Sequence, residues 1–278
     1  MKPRVMSLVI FTCAVGLLTS NSNINITDAM IGITLVALGA GAAGCLNMWY
    51  EADLDALMTR TCLRPIPTGK INKQQALIFG IFLTVFSVGA LNYFANTLSA
   101  TLLLFTILFY LFVYTIWLKR ITPQNIVIGG VAGSLPPVIG WTIATNSISM
   151  VSISLFLIIF LWTPSHFWAL SLYKADDYKK AKIPMMPLTN GIEKTKIYIF
   201  IYSLLMLPVI ILPYAINFSG LIYLIPAMML TIYYNFICYD LYKHKKNKFV
   251  LKKAKKVFGY SILYLFLIFV LFLIDNLI

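Results

Sequence analysis

Long apolar stretches separated by short polar breaks run the length of this chain. The stretches are continuous and lack the period-two alternation of a half-buried or barrel strand, so they predict helices. Many approach the ~20 residues that a helix needs to cross ~30 Å of hydrocarbon. They predict nine spanning helices, at roughly 5–20, 28–48, 75–95, 98–117, 125–145, 150–172, 197–216, 219–240 and 257–275. The expected fold class is therefore all-α: a polytopic membrane protein whose residues 1–278 form a single domain. Two longer polar segments, about 49–74 and 173–196, interrupt the pattern and are expected to cap the bundle on one side.

Composition agrees with the pattern. Hydrophobic residues make up 60% of the chain and charged ones 11%, and the mean hydropathy is +0.86. A soluble domain of 278 residues needs more polar surface than that. Charge then orients the helices. With the N-terminus inside, the inner segments 1–4, 49–74, 118–124, 173–196 and 241–256 carry all 22 Lys and Arg, whereas outer segments such as SNSNINIT (20–27) and NFSG (217–220) carry none. The positive-inside rule thus predicts a cytoplasmic N-terminus. Seven of the nine acids also fall inside, leaving Asp28 and Asp275 outside. The net charge of +13 accordingly reads as topology and attraction to anionic lipid, not as nucleic-acid binding.

The first 20 residues have the basic start and apolar core of a signal peptide, but no A-x-A-like site follows, so a retained helix is expected. No Arg- and Ser-rich presequence is seen, which predicts a bacterial inner (cytoplasmic) membrane in preference to an organellar one. The cysteines at 13, 45, 62 and 238 have neither disulfide-framework nor zinc-ligand spacing.

Candidate chemistry concentrates in the caps. Asn47, Glu51 and Asp55 are spaced i, i+4, i+8 and share one helical face, with Asp53 off it. Carboxylates this close need a cation, and hard oxygen donors suit Mg²⁺, which bridges to substrate phosphates. Arg60 and Arg64 follow, spaced to hold a phosphate. The same pattern also describes an acid cluster solvated at the interface and paired with those arginines. In LWTPSHFWALSLYKADDYKKAKIPMMP (161–187), His166, Leu170, Tyr173 and Asp177 share a face, with Asp176 alongside and Lys174, Lys179 and Lys180 around them. A third inner segment, YTIWLKRITPQN (114–125), adds Tyr114, Lys119 and Arg120. Two acidic patches for metal and nearby cations for an anion make a sensible diphosphate site. His166 reads equally as an acceptor-binding group or as a histidine bonded to its neighbours; His244, in a lysine run, reads as solvated.

Four stretches carry a resemblance: KPRVMSL (2–8); N-x3-E-x-D-x-D (47–55) followed by MTRTCLRPIPTG (58–69); YTIWLKR-x-TPQNIVIGGVAGSLPPVIGW (114–141); and His166 to Pro187 with DDY and IPMMP. They are similar to the UbiA-type intramembrane prenyltransferases, and among them to the branch that farnesylates haem. The likeness covers most of residues 2–190, while the last three helices match only in length and polarity. Glu51 stands where that pattern usually has Asp, Ser165 where Pro commonly precedes the His, and the family usually has a longer segment before KPR.

The resemblance implies a UbiA-type bundle in which farnesyl diphosphate lays its tail among the helices and its diphosphate under the cytoplasmic caps. Asn47, Glu51, Asp55 and Asp177 would be catalytic, and Asp53 and Asp176 would join them as the Mg²⁺ set. Arg60, Arg64, Lys119, Arg120 and Lys174 would bind the diphosphate. Tyr114, Trp168 or Tyr173 would face the allylic cation, and His166 the acceptor, haem b. A haem A synthase or a terminal oxidase assembly would take the product. Two other readings remain at this point: a quinone precursor or other polycyclic acceptor, and a cation-coupled transporter. The transporter requires ionisable groups near the bilayer midplane, and the helix interiors hold essentially none.

Overall fold

The computed structural model describes residues 3–20, 22–245 and 247–277; Lys2 of the first motif and Lys246 of the basic tail segment lie outside the described residues. The helices in chain order are α1 (Pro3–Leu18), α2 (Ile26–Tyr50), α3 (Ala52–Leu57), α4 (Lys73–Phe94) and α5 (Thr97–Leu108). The chain leaves α5 through a π-helical stretch, Phe109–Trp117, and a 3₁₀ turn, Leu118–Arg120. Then follow α6 (Asn125–Ser134), α7 (Pro136–Thr145), α8 (Met150–Tyr173), α9 (Ala175–Lys180), α10 (Met186–Thr189), α11 (Gly191–Ala215), α12 (Leu221–Lys243) and α13 (Asn247–Leu277). No strand occurs among the described residues.

Eight helical stretches are long and apolar enough to cross a membrane, and they coincide with eight of the predicted spans. The remaining one, α1, is a shorter apolar helix of 16 residues, about 24 Å long at ~1.5 Å per residue. Helix starts follow side-chain caps: the side chains of Asn25, Asn72, Asn96 and Ser149 each accept a bond from a first-turn backbone N–H. Pro136 and Pro137 occupy the first positions of α7, where a missing N–H costs nothing, so the IGGVAGSLPP stretch breaks one span into α6 and α7.

The helices assemble around two cores. One is formed by α8, α11, α12 and α13; the other by α1, α2, α4, α5 and α7. Contacts of α6 with α8 and of α1 with α13 join them. Outward faces are apolar: Ile78, Phe79, Phe82, Val85 and Phe86 on α4, and Ile225, Met229, Ile232 and Phe236 on α12, are exposed. Apolar surface of this extent belongs in hydrocarbon, and the chain is an integral membrane protein.

Backbones meet most closely where α1 crosses α7. A Cβ on Gly16 would lie 2.1 Å from the Pro137 carbonyl oxygen, and one on Gly140 would lie 1.9 Å from that of Cys13. Backbone atoms cannot swing aside as a side chain does, so Gly140→Ala must push the two helices apart. We expect a loss of about 1–3 kcal/mol or more, whereas Gly89→Ala, whose new Cβ meets nothing within 4 Å, is neutral or gains up to ~1 kcal/mol from helix propensity. Thermal unfolding of both variants in detergent tests the contrast; equal melting temperatures would contradict it.

Candidate active site

The end of α2 builds the first half of the site. Glu51 leaves helical geometry, at φ −92° and ψ 15°, and α3 begins at the next residue. The i→i−4 bonds nonetheless persist across this junction, from Glu51 N to Asn47 O at 2.9 Å and from Asp55 N to Glu51 O at 2.8 Å. Asn47, Glu51 and Asp55 therefore stay on one face, each no more than 3% exposed, while Asp53 turns outward.

Cations from other parts of the sequence meet these acids. Lys119 Nζ donates to Glu51 Oε1 at 2.5 Å. Arg64 Nη1 donates to both Asp55 oxygens, at 2.8 and 2.6 Å. Arg120 reaches the exposed Asp53 at 3.2 Å. The arginine-pairing alternative raised by the sequence is thus present for Asp55. Among the five predicted diphosphate-binding cations, Arg60 alone has no ion-pair partner among the described residues.

Asn47 is held from across the bundle. Its Nδ2 donates to Thr115 Oγ1 at 3.0 Å, and that hydroxyl donates to the Tyr110 carbonyl at 2.8 Å, five residues back along the π-helical stretch. Single-turn π-helical segments often mark functional sites because they shift the register of the side chains that follow. Here the shift sets Tyr114 against α6: a Cβ on Gly129 would lie 2.2 Å from the Tyr114 ring.

The second half comes from α9. Asp177 and Tyr178 are buried, while Asp176 faces outward. Thr59 Oγ1 donates to both Asp177 oxygens, at 2.8 and 2.9 Å, and Lys174 Nζ lies 4.0 Å from Oδ2. The Thr59 bond ties the loop after α3 to α9, so the two caps meet. Burial pushes the Tyr178 hydroxyl above the usual tyrosine range; Arg60 opposes the shift, and Glu51 and Asp177 add to it. Tyr178 thus stays protonated between acids of both caps.

An apolar cavity lies next to this charged mouth, at Gly44 just before Asn47 on α2 and at Tyr110, and it is lined also by Met6, Val36, Leu103 and Gly133 among others. Its volume is about 130 Å³, roughly ten times the ~10–15 Å³ that one water requires on the same measure.

Other predicted residues fall elsewhere. Trp168 is fully buried, its ring 5.8 Å from Tyr198 and 5.5 Å from Tyr202 of α11. Tyr173 meets Phe258 edge to face, with Lys255 Nζ 5.8 Å from its ring centre. His166 is stacked between Trp162 and Phe258, and its Nδ1 lies 2.6 Å from Ser261 Oγ, which is the neighbour-bonded reading. His244 is not merely solvated: its carbonyl accepts from the buried Lys196 at 2.6 Å and its ring lies beside Asp240. Sequence reasoning missed Thr59, Tyr110, Thr115 and Tyr178, although each lies within a few residues of a residue it had singled out.

No three His, Cys, Asp or Glu side chains among the described residues converge to hold a metal ion. Mg²⁺ needs no such cage, because it binds through one or two carboxylates, keeps waters and shares substrate phosphates. The buried oxygen donors Asn47, Glu51, Asp55 and Asp177 fit an ion of that kind; the exposed Asp53 and Asp176 stand apart from them.

Comparison with known proteins decides the family. Residues 8–262 match the UbiA prenyltransferase family. The chain belongs to it. The protoheme IX farnesyltransferase of Pelagibacter ubique is 77% identical over 276 residues, covering 99% of this chain and 91% of that one. Protoheme IX farnesyltransferase 2 of Mesorhizobium japonicum is 52% identical over 276 residues, covering 99% and 88%. Among solved structures, one described as a digeranylgeranylglyceryl phosphate synthase in membranes superposes with a TM-score of 0.82 at 19% identity, covering 99% of this chain and 94% of that one. A UbiA homolog from Archaeoglobus fulgidus bound to DMAPP and Mg²⁺ gives 0.67 at 16%, covering 96% and 97%. The two superpositions establish the shared fold.

In this UbiA family member the buried Glu51–Lys119 pair should be costly to split. Lys119→Met leaves a carboxylate buried without its cation and is expected to destabilise by about 3–5 kcal/mol. Adding Glu51→Gln removes the orphaned charge and should recover much of that loss. A double-mutant cycle read by thermal unfolding in detergent checks this; additive losses would mean that the two side chains do not interact.

Proposed function

We propose that this protein transfers the farnesyl group of farnesyl diphosphate to a vinyl carbon of haem b, releasing diphosphate and yielding haem O. The geometry that carries the reading is an apolar cavity next to a mouth of buried acids and cations. Such a site suits a molecule with a greasy tail and a polyanionic head. The farnesyl donor and haem acceptor are those named for the 77% identical relative. The mouth faces the cytoplasm of a bacterial inner membrane, in keeping with the concentration of lysine and arginine on that side.

Among the described residues Arg60 has no ion-pair partner, and its positive charge opposes the upward push of burial on the Tyr178 hydroxyl of α9. It is the cation placed to receive the diphosphate first. Arg64 and Lys119 stand beside it, each already held by an acid, so their positions are set before substrate arrives. Asn47, Glu51, Asp55 and Asp177 would hold Mg²⁺, which when bound neutralises charge on the leaving diphosphate.

As the C1–O bond breaks, its electron pair goes to the diphosphate oxygen, and negative charge grows there in the transition state more than in bound substrate. Cations fixed at that point accelerate the step for this reason. The terminal carbon of the haem vinyl group then attacks C1 with its π electrons. The cation left on the inner vinyl carbon takes a water oxygen and loses a proton, which gives the hydroxyethylfarnesyl group. The apolar cavity keeps water from the allylic cation until the new bond has formed.

Purified protein given haem b, farnesyl diphosphate and Mg²⁺ should yield a haem heavier by one farnesyl group plus one hydroxyl on mass spectrometry, and none with EDTA. Release of diphosphate with the haem unchanged would point to a different acceptor. Arg60→Ala should raise KM for farnesyl diphosphate roughly tenfold or more, the value of one charge-assisted contact. Gly133→Leu should do the same from the other end. A Cβ there meets nothing within 4 Å, and Gly133 lines the cavity, so the added side chain takes up cavity space. Unchanged KM in both variants would remove the tail-in-cavity, head-in-mouth arrangement.

A further inference from the structure

A prenyl diphosphate with its tail in the cavity and its head in the mouth must place C1, the reacting carbon, at the boundary between them. One side chain belongs to both regions. Tyr110 lines the cavity and is the single aromatic residue among those that do. It also adjoins the mouth: the Tyr114 ring stacks on it, and Lys119, which holds Glu51, has its Nζ 5.7 Å from the centre of that ring. Tyr110 is only partly buried.

We propose that Tyr110 is a catalytic residue of the prenyl transfer, and that its ring is the surface against which the allylic cation develops. The proposal rests on the farnesyl-transfer reading above. When C1–O breaks, the electron pair leaves with the diphosphate and positive charge spreads over C1 and C3 of the prenyl group. An aromatic face attracts a cation through its ring quadrupole, most strongly where water is excluded. The bound diphosphate ester carries no such positive charge, so the attraction grows only as the bond ionises and favours the transition state over bound substrate.

The ring is braced for this task. Tyr114 stacks on it with centroids 5.4 Å apart and planes 25° from parallel. Tyr114 is itself seated against Gly129, where no Cβ fits. The Tyr110 carbonyl is held by Thr115 Oγ1, which also receives the Asn47 amide, so one hydrogen-bonded chain fixes the ring's backbone relative to the first acid patch. Of the three aromatics that the sequence suggested for this role, Trp168 and Tyr173 have their ring contacts with Tyr198, Tyr202 and Phe258, and Tyr114 is the backing ring.

The test compares wild type with Tyr110→Phe, Tyr110→Leu, and Tyr110 replaced by mono-, di- and trifluorinated phenylalanines, each assayed with haem b, farnesyl diphosphate and Mg²⁺. Fluorination weakens the ring quadrupole while nearly preserving ring shape. Tyr110→Leu should turn over at least about tenfold more slowly than Tyr110→Phe, with KM for farnesyl diphosphate within about twofold and more farnesol released per haem product. Across the fluorinated series log kcat should fall stepwise with each fluorine. Equal losses in the Phe and Leu variants, a flat fluorine series, or an effect confined to KM would overturn the proposal and leave Tyr110 a packing residue. If Tyr110→Leu does not fold, the fluorinated series alone decides. Wild-type protein that releases diphosphate but leaves haem unmodified defeats the acceptor assignment; the fluorine series read on diphosphate release then still decides on Tyr110.

Discussion

A charged side chain buried at the edge of a membrane needs an opposite charge against it, and in this protein that constraint falls on Glu51. It lies at the junction of α2 and α3, almost completely buried, with Lys119 donating to it from the far end of the span that begins as α5. The desolvation cost of either charge alone runs to several kcal/mol. The two segments are therefore obliged to meet. Arg64 with Asp55 closes the loop after α3 in the same way, and Thr59 with Asp177 brings α9 into register with it. The mouth of the site is a consequence of satisfying buried acids, and its cations are positioned by the same contacts.

Helix packing supplies the rest. In hydrocarbon there is little hydrophobic gain from pressing two helices together, so small residues that let backbones approach matter more than in water. Gly16 and Gly140 bring α1 onto α7, and Gly129 makes room for the Tyr114 ring. The π-helical stretch between α5 and the Lys119 turn then presents Tyr110 to the cavity and Thr115 to Asn47. A regular α-helix would carry the following side chains in a different register. Packing in one half of the bundle thus determines the geometry of atoms that belong to the site.

Much of the architecture could be read from the chain because hydrocarbon imposes a simple demand on length and polarity. Eight spans fell where the apolar runs lay, although the run expected as one helix over 125–145 is divided before Pro136 into α6 and α7. The first run, expected at 5–20, matches α1 in length and lies two residues further along the chain than the helix itself, Pro3–Leu18. The face shared by Asn47, Glu51 and Asp55 was legible from helical spacing and survived the kink at Glu51 because the i→i−4 bonds continue through it.

Pairing and orientation belonged to the tertiary structure. Lys119 and Glu51 are 68 residues apart, and Thr59 and Asp177 are 118 apart, so no local pattern states which donor meets which acid. His166 and Trp168 sit on one helix with chemistry enough for a site, yet their surroundings were decided by α13 and α11, which pack there with Phe258, Ser261, Tyr198 and Tyr202. Tyr110 carried no signal in the sequence, because the cavity it lines is completed by residues of α1, α2, α6 and α7 that only packing brings together. By itself, the sequence determined that this is a helical membrane protein with acids and cations gathered on one side, since those properties follow from composition and period. Only the fold decided which of those groups touch, because contact between distant residues is set by how whole helices pack.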